Sequence, residues 1–169
     1  MKELDEVEKK IKRILQQVID DANSRTESGT NKDKWWTKKI KDALCQLGHE
    51  MKCAVNANGC DCADDKREWL FDMVWAYPKD DWKELILTME SEWSRDEDEI
   101  WWDFEKLLVV RSKYRIFIFQ ANETEIKNLM EKFWDKIKKV KTSLSGDRYF
   151  LAGYSTTGHE FIFKNFVVP

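Results

Sequence analysis

The chain has 169 residues, 42% hydrophobic and 36% charged, and its 29 basic against 32 acidic side chains leave a net charge of −3. That length supports one core and that apolar content offsets the entropy of ordering it, which excludes a disordered acidic tail. Six glycines and two prolines exclude collagen-like and linker-dominated designs; no apolar stretch nears the roughly 20 residues of a membrane span, and the charge balance excludes a uniformly basic nucleic-acid binder.

The segment Met1 to Glu6 is charged at once, with no apolar leader, and points to a cytoplasmic protein with no membrane association. Leu4, Val7, Ile11, Ile14 or Leu15, and Val18 recur at three- and four-residue steps, so residues 1–21 read as an amphipathic helix. Its seam packs on its own domain in the first reading and against a second copy, as a homodimer, in the other. Residues 22–34 are rich in Ser, Thr, Asn and Gly and read as a loop. Trp36, Ile40, Ala43, Leu44 and Leu47 mark a second helix, with Gly48 where a left-handed cap is wanted.

Three strands should follow: Glu50 to Asn56, then after an Asn58-Gly59 turn Glu68 to Trp75, then Glu84 to Trp93, whose uniform apolar run suits a central strand. Asp96 to Val110 returns to helical spacing with acidic residues at its start. Tyr114 to Phe119 reads as a buried strand, Asn122 to Leu144 as a long helix ended by Gly146, and Arg148 to Tyr154 with Glu160 to Val167 as a terminal hairpin or two more strands. The order helix, helix, three strands, helix, strand, helix, two strands predicts one domain over 1–169: a three-layer α/β sandwich with helices on both faces of a mixed sheet. No glycine-rich loop follows the first strand, which removes P-loop and dinucleotide-binding readings.

Carboxylates inside hydrophobic strands are costly unless a cation compensates them. Asp72 interrupts the second strand, while Glu90 and Glu92 share a face of the third. If these strands pair antiparallel, Asp72 lies beside Glu90 and an oxygen cluster suited to Mg²⁺ results. On the next helix Asp103 and Lys106 are one turn apart, and Lys106 can lean over the acids. Glu68 shares strand parity with Asp72 and is a weaker candidate for the site's outer shell.

At these residues the chain resembles the PD-(D/E)xK nuclease-like superfamily, which includes restriction endonucleases. The resemblance spans roughly 35–120, with the C-terminal helix and strands of 121–169 added to an αβββαβ core. It implies a hydrolase of phosphodiesters, on DNA before RNA, that uses Mg²⁺ with Mn²⁺ as a substitute. Asp72 and Glu90 would take the places of the two metal-binding acids. Phe71 stands where a proline is usual and Glu92 where the lysine is expected, and Lys106 is similar to the lysine that some members carry on the following helix. Under the resemblance Asp72, Glu90 and Glu92 are metal ligands and Lys106 stabilises charge on phosphorus. The alternative is a catalytically inactive module of the same fold that binds a protein or nucleic acid, its strand acids reaching solvent or pairing with lysine.

Cys45, Cys53, Cys60 and Cys62, with His49, invite a zinc reading, but no C-x₂-C pair is present, so ordinary reduced thiols without disulfides are expected. His159, in a glycine-containing turn, reads as a solvated side chain. Lysines 127, 132, 136, 138, 139 and 141 form either a backbone-binding surface or a solvated helix face. In the pairs Trp35, Trp36 and Trp101, Trp102, neighbours on a helix point about 100° apart, so one of each should be only partly buried.

Overall fold

In the computed structural model, which describes residues 3–23, 32–67 and 69–169, the chain runs α1 (Glu6–Asn23), α2 (Lys32–Glu50), β1 (Ala54–Asn56), β2 (Met73–Tyr77), β3 (Glu84–Glu92), α3 (Glu97–Val109), β4 (Ser112–Ala121), α4 (Glu123–Lys139), β5 (Arg148–Ser155) and β6 (Phe161–Val167). The strands form one six-stranded mixed sheet in the order β1-β2-β3-β4-β5-β6. β3, β4 and β5 are parallel and the outer pairings antiparallel. Parallel neighbours need crossovers, and α3 and α4 supply them on one face while α1 and α2 cover the other, giving the three-layer sandwich. Among the described residues no helix is long and apolar enough to cross a membrane.

The strand period of two divides the core. Ile116 and Ile118 of β4 face α1 and α2, whereas Phe117 and Phe119 face α3 and α4, where they pack with Phe104 and Phe133. The helix ends follow local chemistry. Asp96 caps α3 by accepting from Asp98 N–H at 2.8 Å, and Asn122 and Glu125 form a reciprocal capping box on α4. On α1, Asp5 accepts from the N–H groups of Val7 and Glu8 while Glu8 Oε2 accepts from Asp5 N–H, each at 3.0 Å.

The seam of α1 is occupied within the chain. Ile11 and Leu15 are fully buried, and Leu4, Val7 and Ile14 pack on the same core. Most of the expected loop over 22–34 lies outside the described residues, and α2 already includes Lys34. The second strand starts at Met73 rather than at residue 68: Trp69 and Leu70 are exposed, and Trp69 stacks edge-on against Phe71 and Trp82 in an irregular segment. The aromatic content there serves a side-chain cluster, not a ladder.

Helix α4 stops at Lys139, because Val140 is already extended, and Gly146 with φ of 89° serves the turn into β5 instead. Gly48 is likewise no cap. It lies inside α2, where a Cβ would fall 2.7 Å from Val55 Cγ2 and 2.9 Å from Trp75 Nε1, so it permits close approach of helix to sheet. The cysteines also depart from expectation: Cys45 and Cys62, 17 positions apart, are paired as a disulfide, because α2 and the β1–β2 connection bring them together. Cys53 and Cys60 are free and buried.

Candidate active site

Strand register sets the site. β2 and β3 pair with Met73 opposite Met89 and Val74 opposite Thr88, which carries Asp72 to a position across from Glu90. Asp72 is in the bend before β2, not within the strand, which leaves its side chain 26% exposed. Along β3, Leu87 and Met89 join the core under α2, so Glu90 and Glu92 face the α3 side beside Phe117 and Phe119 of the parallel β4. Helix α3 buries Ile100, Phe104, Leu107 and Leu108, and that packing aims Lys106 and Asp103 at β3.

Lys106 Nζ lies 2.8 Å from Glu90 Oε1 and 2.8 Å from Asp103 Oδ1. The approach to Glu90 is an ion pair off the hydrogen-bonding direction, and Oε1 has no hydrogen-bond partner. Asp72 is held from the other layer as well: Oδ1 accepts from Lys41 Nζ of α2 at 2.8 Å, and Oδ2 from the Ser91 N–H at 2.8 Å and the Ser91 hydroxyl at 2.7 Å. Glu92 accepts from Ser94 N–H at 2.5 Å.

These neighbours set the electrostatics. Burial pushes the Glu90 carboxyl up to about 8; Lys106 pulls it down, and the nearby charges of Asp72 and Asp103 push it further up. Burial and then Asp103 raise Glu92 above its usual range against the pull of Ser94 N–H. Burial alone would lower the Lys106 ammonium, but Asp103 and Glu90 outweigh it, so this lysine is a firm cation. Four carboxyl groups, Asp72, Glu90, Glu92 and Asp103, thus meet two ammonium groups, Lys41 and Lys106.

The acidic surplus in a poorly solvated corner is chemistry that an oxygen-ligated divalent cation would compensate, offsetting the burial and like charge that keep Glu90 protonated; Asp72, Glu90 and Glu92 would have to draw together round it, since their oxygens do not all lie within 4.8 Å of one another. Asp72, Glu90 and Glu92 are the residues that would hold it. The arrangement offers an acidic corner, a fixed ammonium beside it and a carboxyl able to exchange a proton near neutral pH.

Sequence reasoning missed Lys41 and Ser91. Lys41 looks like any lysine of an amphipathic helix, and its partner is 31 positions away. Glu68 lies outside the described residues. Of the six lysines 127, 132, 136, 138, 139 and 141, the first four pair with Glu123, Glu97, Glu105 and Asp135, so four of the six charges are locally compensated. In each tryptophan pair one ring is buried more deeply: Trp36 is buried and Trp35 half-buried, and Trp101 is half-buried and Trp102 exposed.

Compared with protein-family models, curated proteins and solved structures, the chain matches none of them. The functional reading therefore rests on the geometry alone.

Proposed function

We propose that the chain is a metal-dependent phosphodiester hydrolase of the PD-(D/E)xK kind, acting on DNA in preference to RNA. The observation that carries this reading is Lys106 Nζ at 2.8 Å from a buried Glu90 that stands across the strands from Asp72. The run α2-β1-β2-β3-α3-β4 supports it, since it has the order of that superfamily's core. A bound Mg²⁺, or Mn²⁺ in its place, supplies Lewis-acid polarisation of the phosphate and a water of lowered pKa.

The chain's own groups do the rest. Asp72 and Glu90 present oxygens from neighbouring strands, and Lys41 and Ser91 hold the Asp72 carboxylate in one orientation. Lys106, kept charged by Asp103, stabilises negative charge that develops on the phosphoryl oxygens. Glu92, with its raised affinity for a proton, adds a ligand or orients the attacking water.

The test is cleavage of linear and plasmid DNA by the full chain with Mg²⁺ or Mn²⁺. Glu90→Gln and Lys106→Met should each lower the rate by about 10² or more with unchanged circular dichroism. Equal cleavage by both variants would overturn the assignment.

One observation favours a second reading. The Asp72 carboxylate already accepts from three donors, Lys41 Nζ, Ser91 N–H and Ser91 Oγ, as a purely structural carboxylate would. On that reading the chain is a catalytically inactive module of the same fold that binds a protein or nucleic acid. Nucleic-acid binding without cleavage, unchanged in Glu90→Gln, would select it.

A further inference from the structure

A second chemical cluster, built from sulfur rather than oxygen, lies between α2 and the β1–β2 connection. Cys45 and His49 are one turn apart on α2, on the same stripe as Lys41. The connection opposite them carries Cys60 and Cys62. The sulfurs of Cys45, Cys60 and Cys62 all lie within 4.8 Å of one another, among them Cys60 Sγ and Cys62 Sγ at 3.7 Å. Cys45 Sγ and His49 Nε2 are 3.6 Å apart.

We infer that in the reduced protein Cys45, His49, Cys60 and Cys62 bind one zinc ion as a closed structural site. The distances carry the argument. With Zn–S of about 2.3 Å and Zn–N of about 2.0 Å, a tetrahedral centre has S···S edges of about 3.8 Å and S···N edges of about 3.5 Å. The Cys60 to Cys62 and Cys45 to His49 separations of 3.7 Å and 3.6 Å are two such edges.

The outer partner is present too. His49 Nδ1 lies 3.7 Å from Asp64 Oδ2, the carboxylate arrangement that orients a metal-binding imidazole. Asp64 is itself fixed, accepting from Val55 N–H at 2.9 Å and from Lys79 Nζ at 2.6 Å. His49 Nε2 now contacts Cys62 O at 2.9 Å and would exchange that contact for the metal. Cys53 stands apart, its thiol donating to Met51 O.

The Cys45–Cys62 disulfide uses two of these groups and gives no reason for Cys60 Sγ to lie against the same sulfurs or for His49 Nε2 to reach Cys45 Sγ; zinc would use all four. Starting from the disulfide, a phosphine supplies two electrons and is oxidised to its oxide while water supplies the oxygen and two protons, giving two thiols. Zinc then displaces three thiol protons to solvent and leaves a Zn(Cys)₃(His) centre of charge −1 with no open position, so its role is structural. Among the described residues 57–72 contain no regular strand or helix beyond the isolated bridge of Asn56 to Asp65, and a zinc ion is the kind of staple that orders such a connection. Asn58 O and Asp72, at its two ends, both accept from Lys41, so the ion would also steady that lysine.

The inference is independent of the hydrolase reading and uses none of its ligands. The full chain, purified under a phosphine reductant without chelator, is assayed for zinc and titrated with Co²⁺. One zinc per chain is expected, with a thiolate-to-cobalt charge-transfer band and tetrahedral visible bands that Zn²⁺ bleaches. Cys60→Ser, which spares the disulfide partners, should weaken zinc binding at least tenfold, and Asp64→Asn should do so to a smaller degree. Absence of both zinc and thiolate–cobalt absorption in the reduced wild-type chain overturns the site, as does cobalt binding unchanged in Cys60→Ser. The wild-type titration needs no variant to fold.

Discussion

Among the described residues two glutamates are almost fully buried, Glu8 on α1 and Glu90 on β3, and they are held in opposite ways. Glu8 Oε1 accepts from Arg148 Nε at 2.9 Å, and Oε2 accepts from Arg148 Nη2 at 2.5 Å and Asp5 N–H at 3.0 Å. Each of its oxygens has a directed donor, and a two-pronged arginine supplies the counter-charge. Glu90 has one ammonium, off the hydrogen-bonding direction, and two acidic neighbours that raise its proton affinity. Burial of an acid alone therefore does not mark a site. Incomplete compensation does, because a structural ion pair closes its own account while a ligand keeps a place for something else.

The largest effect should come from the closed pair. Glu8→Ala leaves Arg148 without its bidentate partner and removes half of the α1 capping box, and urea unfolding should show a loss of about 3 kcal/mol. The comparison breaks if Glu90→Gln costs as much, since the glutamine keeps the shape and removes a charge that burial disfavours. Glu90→Gln should cost little or stabilise.

A second effect is read through pH at Glu90. In the metal-free protein Glu90 ionises near 8 when folded, against a usual 4.5. Between those values the unfolded chain binds fewer protons, so stability is full below about 4.5 and falls as pH rises towards about 8. Thermal melts across that range should decline in wild type and flatten in Glu90→Gln, while a slope unchanged in the variant would assign the titration elsewhere. A divalent cation should act in the same place. Mg²⁺ at ten times its dissociation constant should restore about 1.4 kcal/mol near pH 7.5 in wild type and nothing in Glu90→Gln.

The Glu8 corner and the Glu90 corner also differ in how they could be read from sequence. β3 was legible because an apolar run from Leu85 to Met89 ends in two acids on one face, and the helix after it because acidic residues from Asp96 mark its start and Ile100, Phe104 and Leu108 its stripe. Lys41 was not, since long-range pairing leaves no local trace, and the same holds for the Arg148 that meets Glu8 across 140 positions. The sulfur residues were visible in the sequence, but their meeting was not, for a related reason. Its ligands come as a helical pair, Cys45 with His49, and a loop pair, Cys60 with Cys62, and neither spacing is diagnostic until helix and loop are packed together. The overlong readings of β2 and α4 have a different origin: Trp69 and Val140 continue the apolar pattern of their neighbours past the point where the backbone turns.

The smallest effect on stability sharpens the contrast most for function. Trp102 is 71% exposed and one turn before Lys106 on α3, on the same stripe of the helix as that lysine. Trp102→Ala removes little packing and should change unfolding by no more than about 0.5 kcal/mol. If the corner receives nucleic acid, however, the exposed ring is a platform for a base, and its loss should weaken single-strand binding by about 1 to 2 kcal/mol, or roughly five- to thirtyfold. Fluorescence anisotropy with a short labelled oligonucleotide reads this directly. An unchanged affinity would mean that the tryptophan serves only solvent, and it would leave Lys106 as the one group on α3 that argues for a phosphate at this corner.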